Sequence, residues 1–166
     1  MRRGERPLTL RSSLASQLGV ISIVTDSEGV LQGIQLPRLA SPSGSPRQDP
    51  PPAAHRAVHR QLREYLAGRR RALSLPFCAV GTDFQMTVWA QLRSIPWGET
   101  RAYSELARAL EKPGAARAVG TACSRNPIPI LIPCHRVLSA QGGLGGWTGD
   151  LRVKRFLLRI EGSLGS

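Results

Sequence analysis

Ile130 to Val137 reads ILIPCHRV and sets a thiol, Cys134, beside an imidazole, His135. The thiolate is the nucleophilic form of cysteine, and a base that removes its proton is the usual means of activating it. Neighbouring side chains of a strand point to opposite faces, so the pair can communicate only through a turn or a bridging water. A lone cysteine in an apolar run is otherwise a small buried hydrophobe. The remaining cysteines, Cys78 and Cys123, make no CxxC with it, and three thiols cannot form a disulfide framework. A reducing, intracellular compartment is expected. His55 and His59 stand four apart on a predicted helix, a spacing that can hold a metal. No cysteine cluster accompanies them, so neither a metal nor a cofactor is expected.

A second pattern points to nucleic acid. Ala115 to Ser124 (AARAVGTACS) is a predicted helix whose residues are small apart from Arg117 and Val119. A helix with ordinary side chains is about 10 Å across and suits the major groove of about 12 Å, whereas a minor groove of about 6 Å admits a helix only where side chains are minimal. The minor groove is therefore expected, with little sequence readout, and Arg117 is long enough to enter the base stack. Tight packing of an Ala/Gly helix against its neighbour is the alternative reading. A preceding helix, Tyr103 to Leu110, and the corner Lys112, Pro113 and Gly114 complete a helix-turn-helix pattern.

Charge agrees with a polyanion partner. The 166 residues carry 23 Lys+Arg against 11 Asp+Glu, a formal net charge of +12, and 21 of the cations are Arg. Guanidinium fits phosphate oxygens and stacks on flat rings. Residues 1–80 hold 12 cations and 5 anions, and residues 81–166 hold 11 and 6, so the excess (+7 and +5) does not by itself mark an active surface. The composition, 41% apolar and 20% charged, suits a globular core and excludes wholesale disorder. No apolar run approaches the roughly 18 residues of a membrane span, and Leu18 to Val24 makes no convincing signal peptide. No membrane partner is expected.

The elements that would position these groups follow from periodicity. Val20 to Val24 and Val30 to Leu36 read as a hairpin about Asp26 to Gly29, with an earlier strand near Leu8 to Leu10. Residues 37–53 are Pro-rich and read as a loop. Ala53 to Leu66 is a predicted helix with Gly68 as its C-cap. A further helix begins at Thr82 or Asp83 and ends near Ser94, Gly142 to Gly149 is a glycine-rich loop, and Val153 to Glu161 forms a closing amphipathic helix. The predicted fold class is α+β. A small N-terminal antiparallel sheet with one helix (1–80) precedes a mostly helical C-terminal domain (81–166) that holds the helix-turn-helix and Cys134.

These segments together resemble the O6-alkylguanine-DNA alkyltransferase family, the methylated-DNA–protein-cysteine methyltransferases. The resemblance rests on PCHRV with the preceding NPIP (Asn126 to Pro129), on GTDFQMTVW (Gly81 to Trp89) and IPWGETRAYSELA (Ile95 to Ala107), and on PGAARAVG (Pro113 to Gly120). GGLGGWTG leading into LRVKRFLLRIEG (Leu151 to Gly162) completes it. It covers residues 81–162; the first 80 match only in general layout.

The resemblance implies direct-reversal DNA repair, in which the alkyl group of O6-alkylguanine passes irreversibly to Cys134 and the protein is consumed in one turnover. O4-alkylthymine stays open as a second substrate. His135 would take the thiol proton through a water, Glu161 would orient the imidazole, and Asn126 would brace the turn before the active-site strand. Tyr103 would hydrogen-bond the base and protonate the leaving guanine. The Trp147–Thr148 loop would hold O6, Lys154 would add positive potential, and Cys123 would sit at a more open pocket rim. Arg117, Ala115, Ala116, Gly120 and Ser104 would face DNA, with the damaged base flipped out. The implied partner is double-stranded DNA containing alkylated bases. The protein would be cytoplasmic, or nucleoid-associated in a bacterium. A monomer is expected, with cooperation on DNA left open. The alternative is a non-catalytic helix-turn-helix protein that binds lesions; a cysteine hydrolase is a further one.

Overall fold

The computed structural model describes residues 8–38, 52–145, 147 and 149–164. The chain opens with three antiparallel strands in the order β1 (Leu10–Ser16), β2 (Gly19–Thr25) and β3 (Leu31–Gln35). The first strand therefore runs well beyond the Leu8 to Leu10 expected from sequence. Its alternation of Ser and Arg with Leu leaves too few apolar residues to mark a strand, and pairing with β2 supplies what composition lacks, in the register Leu14↔Ile21. Between β2 and β3 the Asp26 carboxylate accepts from the N–H groups of Glu28 (3.0 Å) and Val30 (2.9 Å), and Gly29 takes a φ of 86°. That turn closes the expected hairpin.

A single 3₁₀ turn (Ala53–His55) leads into α1 (Arg56–Leu66). Val58, Leu62, Tyr65 and Leu66 recur at helical spacing and are buried. Their partners include Leu14, Ile21, Ile23, Leu31 and Ile34 from the sheet. Gly68 ends the helix at a φ of 70°, which lets the Arg69 N–H reach the Glu64 carbonyl at 2.9 Å. Most of the Pro-rich loop 37–53 lies outside the described residues.

In the second half, α2 (Asp83–Arg93) starts from a capping box in which Thr82 Oγ1 accepts from the Gln85 N–H and Gln85 Oε1 accepts from the Thr82 N–H. A two-residue strand β4 (Arg101–Ala102) pairs in parallel with β5 (Val137–Leu138). Between them come α3 (Tyr103–Ala109) and α4 (Ala116–Ser124), and α5 (Leu151–Ile160) closes the fold. The indole N–H of Trp89 on α2 donates to the Ala122 carbonyl of α4 at 2.9 Å, tying the small-residue helix to its neighbour. The first and second halves share one apolar core, and the Ile34 N–H donates to the Pro127 carbonyl at 3.0 Å.

The segment before the cysteine is not a strand. Ile130 has a φ of 78°, and Cys134–Arg136 form one turn of 3₁₀ helix. Prolines at 127, 129 and 133 remove ladder donors, so an apolar run that reads as extended is instead coiled into turns. No helix among the described residues is long and apolar enough to cross a membrane.

Candidate active site and nucleic-acid interface

Asn126 organises the turn that carries the thiol. Its Oδ1 accepts from the Ile128 N–H at 2.9 Å, and its Nδ2 donates to the Ile132 carbonyl at 2.7 Å and to Cys134 Sγ at 3.1 Å. Cys134 is 3% exposed. Burial pushes its thiol up, to about 11, against the opposing pull of the Asn126 hydrogen bond, the Lys154 charge and nearby backbone N–H groups. A donor aimed at sulfur stabilises the thiolate more than the thiol, so Asn126 bears on the reactivity of the nucleophile as well as on its position.

The 3₁₀ turn carries His135 into a buried, charged group. Its Nε2–H donates to Glu161 Oε1 at 2.9 Å, and Nδ1 is buried with no partner among the described residues. Glu161 also accepts from Arg136 Nε (2.8 Å) and from the Tyr65 hydroxyl. Burial would raise this carboxyl, but the hydrogen bonds from His135, Arg136 and Tyr65 outweigh it and hold Glu161 at about 2. Burial in turn lowers His135, so the imidazole is neutral at rest and able to accept a proton.

Sequence reasoning assigned no role to Tyr65 or Arg136. Each left a trace. A tyrosine on the apolar stripe of a helix needs a partner for its hydroxyl, and an arginine inside ILIPCHRV needs a buried acid.

Cys134 lies in a cleft of about 180 Å³ lined by Tyr103, Cys123, Asn126 and Trp147 and also by the end of β3 with Pro37 and Arg38. The first 80 residues thus supply part of the wall. Burial and the adjacent Cys123 and Cys134 thiols raise the Tyr103 hydroxyl above its ordinary value, which keeps it protonated at neutral pH. Burial and the neighbouring Cys134 likewise raise the Cys123 thiol. Lys154 is fully buried behind the cleft rather than lining it. Its Nζ donates to the Val137 carbonyl at 2.6 Å and lies 5.5 Å from the Trp147 ring centre, and burial lowers it to about 8. Thr148 lies outside the described residues.

A second, open cleft of about 520 Å³ adjoins the first on the helix-turn-helix, and Tyr103 borders both. Ser104, Ala116, Arg117 and Gly120 line it. Ala115 does not. It stands just before α4, half-buried, where its carbonyl accepts the Val119 N–H at 2.9 Å. The Arg117 side chain is exposed on this face.

The paired histidines turn inward. His55 Nε2 donates to Thr25 Oγ1 at 2.7 Å and its Nδ1 accepts from the Ser12 hydroxyl, while His59 Nε2 donates to Ser12 Oγ at 2.8 Å. Three of their four ring nitrogens are thereby engaged with hydroxyls.

A family model for the DNA-binding domain of 6-O-methylguanine DNA methyltransferase matches residues 83–163. The methylated-DNA–protein-cysteine methyltransferase of Methanosarcina acetivorans is 48% identical over 108 residues, covering 65% of this chain and 69% of the relative. That of Mycobacterium tuberculosis strain H37Rv is 47% identical over 114 residues, 69% of each. Among solved structures, the Mycobacterium tuberculosis OGT in complex with DNA superposes with a TM-score of 0.80 at 38% identity and covers 92% of both chains.

Proposed function

The chain belongs to the methylated-DNA–protein-cysteine methyltransferase family, and from that membership we infer that it repairs DNA by direct reversal, taking an alkyl group from guanine O6 onto Cys134. The observation that carries this reading is the placement of Cys134 Sγ in an enclosed cleft, held by Asn126 and followed in the chain by the buried His135–Glu161 pair.

The Cys134 proton passes through a water to His135 Nδ1, the ring nitrogen that no described residue engages. Glu161 and Arg136 stabilise the imidazolium that results, by the logic of a catalytic triad with a water inserted. The thiolate attacks the alkyl carbon in line, the S–C bond forms as the C–O bond breaks, and the guanine leaves as an anion that Tyr103 protonates. Trp147 walls the cleft around the base. Lys154, cationic below about 8, favours the thiolate from behind the wall. The product is a thioether, which offers water no carbonyl to attack, so each molecule acts once.

Duplex DNA enters through α4. Ala116 and Gly120 let the helix approach the minor groove, Ala115 starts it, Ser104 borders it, and Arg117 fills the stack vacated by the flipped nucleotide. One chain carries every group in this scheme, so a monomer suffices. Its work lies where the DNA is, in the cytoplasm or nucleoid. Residues 1–80 close the cleft and residues 81–166 carry DNA binding and transfer.

Incubation with a duplex containing one O6-methylguanine, followed by intact and peptide mass measurement, tests the reading. One methyl group should appear on Cys134. An unmodified Cys134 would sink it.

A further inference from the structure

The basic excess of residues 1–80 is not explained by α4, and part of it is organised. Arg56, Arg60 and Arg63 are four and three positions apart on α1, hence on one face, and all three are exposed. With His59, Glu64 and Arg69 they line a cleft of about 350 Å³. Like charges at this spacing destabilise a helix by a few tenths of a kcal/mol per pair. Glu64 does not neutralise them, because it pairs with Arg70 at 2.7 Å. Arg56, Arg60, Arg63 and Arg69 make no ion pair among the described residues.

The cleft also has a polar group without a partner. His59 is 4% exposed, and with Nε2 committed to Ser12, its buried Nδ1 has no hydrogen-bond partner among the described residues. Such an orphan in a buried site calls for an explanation. An anion seated among the arginines supplies one: burial and the Arg63 and His55 charges push His59 down to about 4 in the empty cleft, and an anion offsets those charges and lets a second proton on Nδ1 donate to it.

We propose that the arginine-lined cleft of α1 binds the phosphate backbone of a DNA segment other than the one engaged by α4. Arg56 to Arg63 spans roughly 10 Å of helix, about three successive phosphates of one strand along the duplex axis. Guanidinium groups match phosphate oxygens in geometry as well as charge. α1 packs on the three-stranded sheet, whereas α4 packs on α2 and α3, so the two surfaces belong to different elements. One molecule can then hold damaged DNA at the active site while its N-terminal part grips a second duplex or a distant part of the same one.

Two variants that remove equal charge make the test: R60Q/R63Q in the cleft and R155Q/R159Q on the exposed side of α5. Thermal midpoints and helical content establish that both fold. Binding to undamaged duplex is followed against salt. Each phosphate contact contributes about 0.9 to the slope of log affinity on log salt, so R60Q/R63Q should flatten it by close to 2 and exceed the control. Equal slopes for the two variants overturn the proposal. Wild-type protein held on an immobilised duplex should capture a second, labelled duplex, and R60Q/R63Q should lose that capture; no capture by the wild type overturns it. The His59 imidazole resonances of the wild-type chain provide a readout independent of any substitution. They should move on addition of duplex. Movement with inorganic phosphate but not with duplex would mark a small-anion site and overturn the DNA assignment.

Discussion

The Tyr65 hydroxyl donates to the Glu161 carboxylate across 96 positions of sequence and joins α1 to the C-terminal end of α5 directly behind His135. Tyr65 is 1% exposed and packs edge-on against Trp97, with ring centres 5.1 Å apart. A hydrogen bond to a buried charge contributes roughly 1.5–3 kcal/mol, and its loss leaves the carboxylate short of a donor. Tyr65→Phe should therefore lower unfolding free energy by about 1–3 kcal/mol in urea denaturation and slow alkyl transfer. An unchanged denaturation midpoint would mean the contact is energetically idle.

Asn126 touches sulfur, so its removal should be visible in a pH profile. The transfer rate of the wild type should climb with pH, because burial pushes the Cys134 thiol up to about 11 and keeps the thiolate scarce at neutral pH. Loss of the Nδ2 hydrogen bond raises the thiol further, and Asn126→Ala should shift the profile to higher pH. A profile displaced downward, or not at all, would show that the amide does not favour the thiolate.

Glu161 links stability to acid. Its folded value of about 2 lies below the ordinary 4.5, so the stabilisation it brings is complete above about 4.5 and is lost as pH falls through about 2. The shift corresponds to no more than about 3 kcal/mol, shared with His135 and Arg136. Glu161→Gln should be far less stable than the wild type at neutral pH, and the gap should narrow between pH 5 and 2. A gap independent of pH in that window would assign the loss to packing.

Gly120 separates stability from DNA binding. A Cβ there would meet Tyr103 Cε1 at 3.8 Å, an ordinary contact, so Gly120→Ala fits the fold. Replacing glycine inside a helix gains about 0.5–1 kcal/mol. The same methyl group thickens the face proposed to approach the groove. Gly120→Ala should melt higher and bind duplex more weakly; duplex binding equal to the wild type would remove Gly120 from the interface.

Arg117→Ala should cost more on duplex substrate than on free O6-benzylguanine, because only the duplex requires a filled stack. Unstacking costs a few kcal/mol, so a loss of tenfold or more is expected on duplex alone. Equal losses on both substrates would show that the arginine serves the cleft.

Several local features are legible in the sequence because their causes are local. The apolar spacing of Val58, Leu62, Tyr65 and Leu66 writes α1, Thr82 and Gln85 write the start of α2, and the poverty of side chains along Ala116 to Ser124 writes a helix able to enter a narrow groove. Cys134 and His135 are visible as chemistry for the same reason, being adjacent in the chain. The geometry between them is not, because alternation assumes a strand, whereas Ile130 at a φ of 78° and three prolines impose turns.

By itself, the sequence determined the helices and marked Cys134 and the small-residue helix as the candidates for chemistry and for DNA contact, since periodicity, capping and motif each act within a few residues. Only the tertiary structure decided what surrounds them. Tyr65 and Arg136 converge on Glu161, and Pro37 and Arg38 come to line the same cleft as Cys134. These partners meet because a buried carboxylate must be matched by donors wherever the chain can bring them, a demand that acts through space and leaves no period in the sequence.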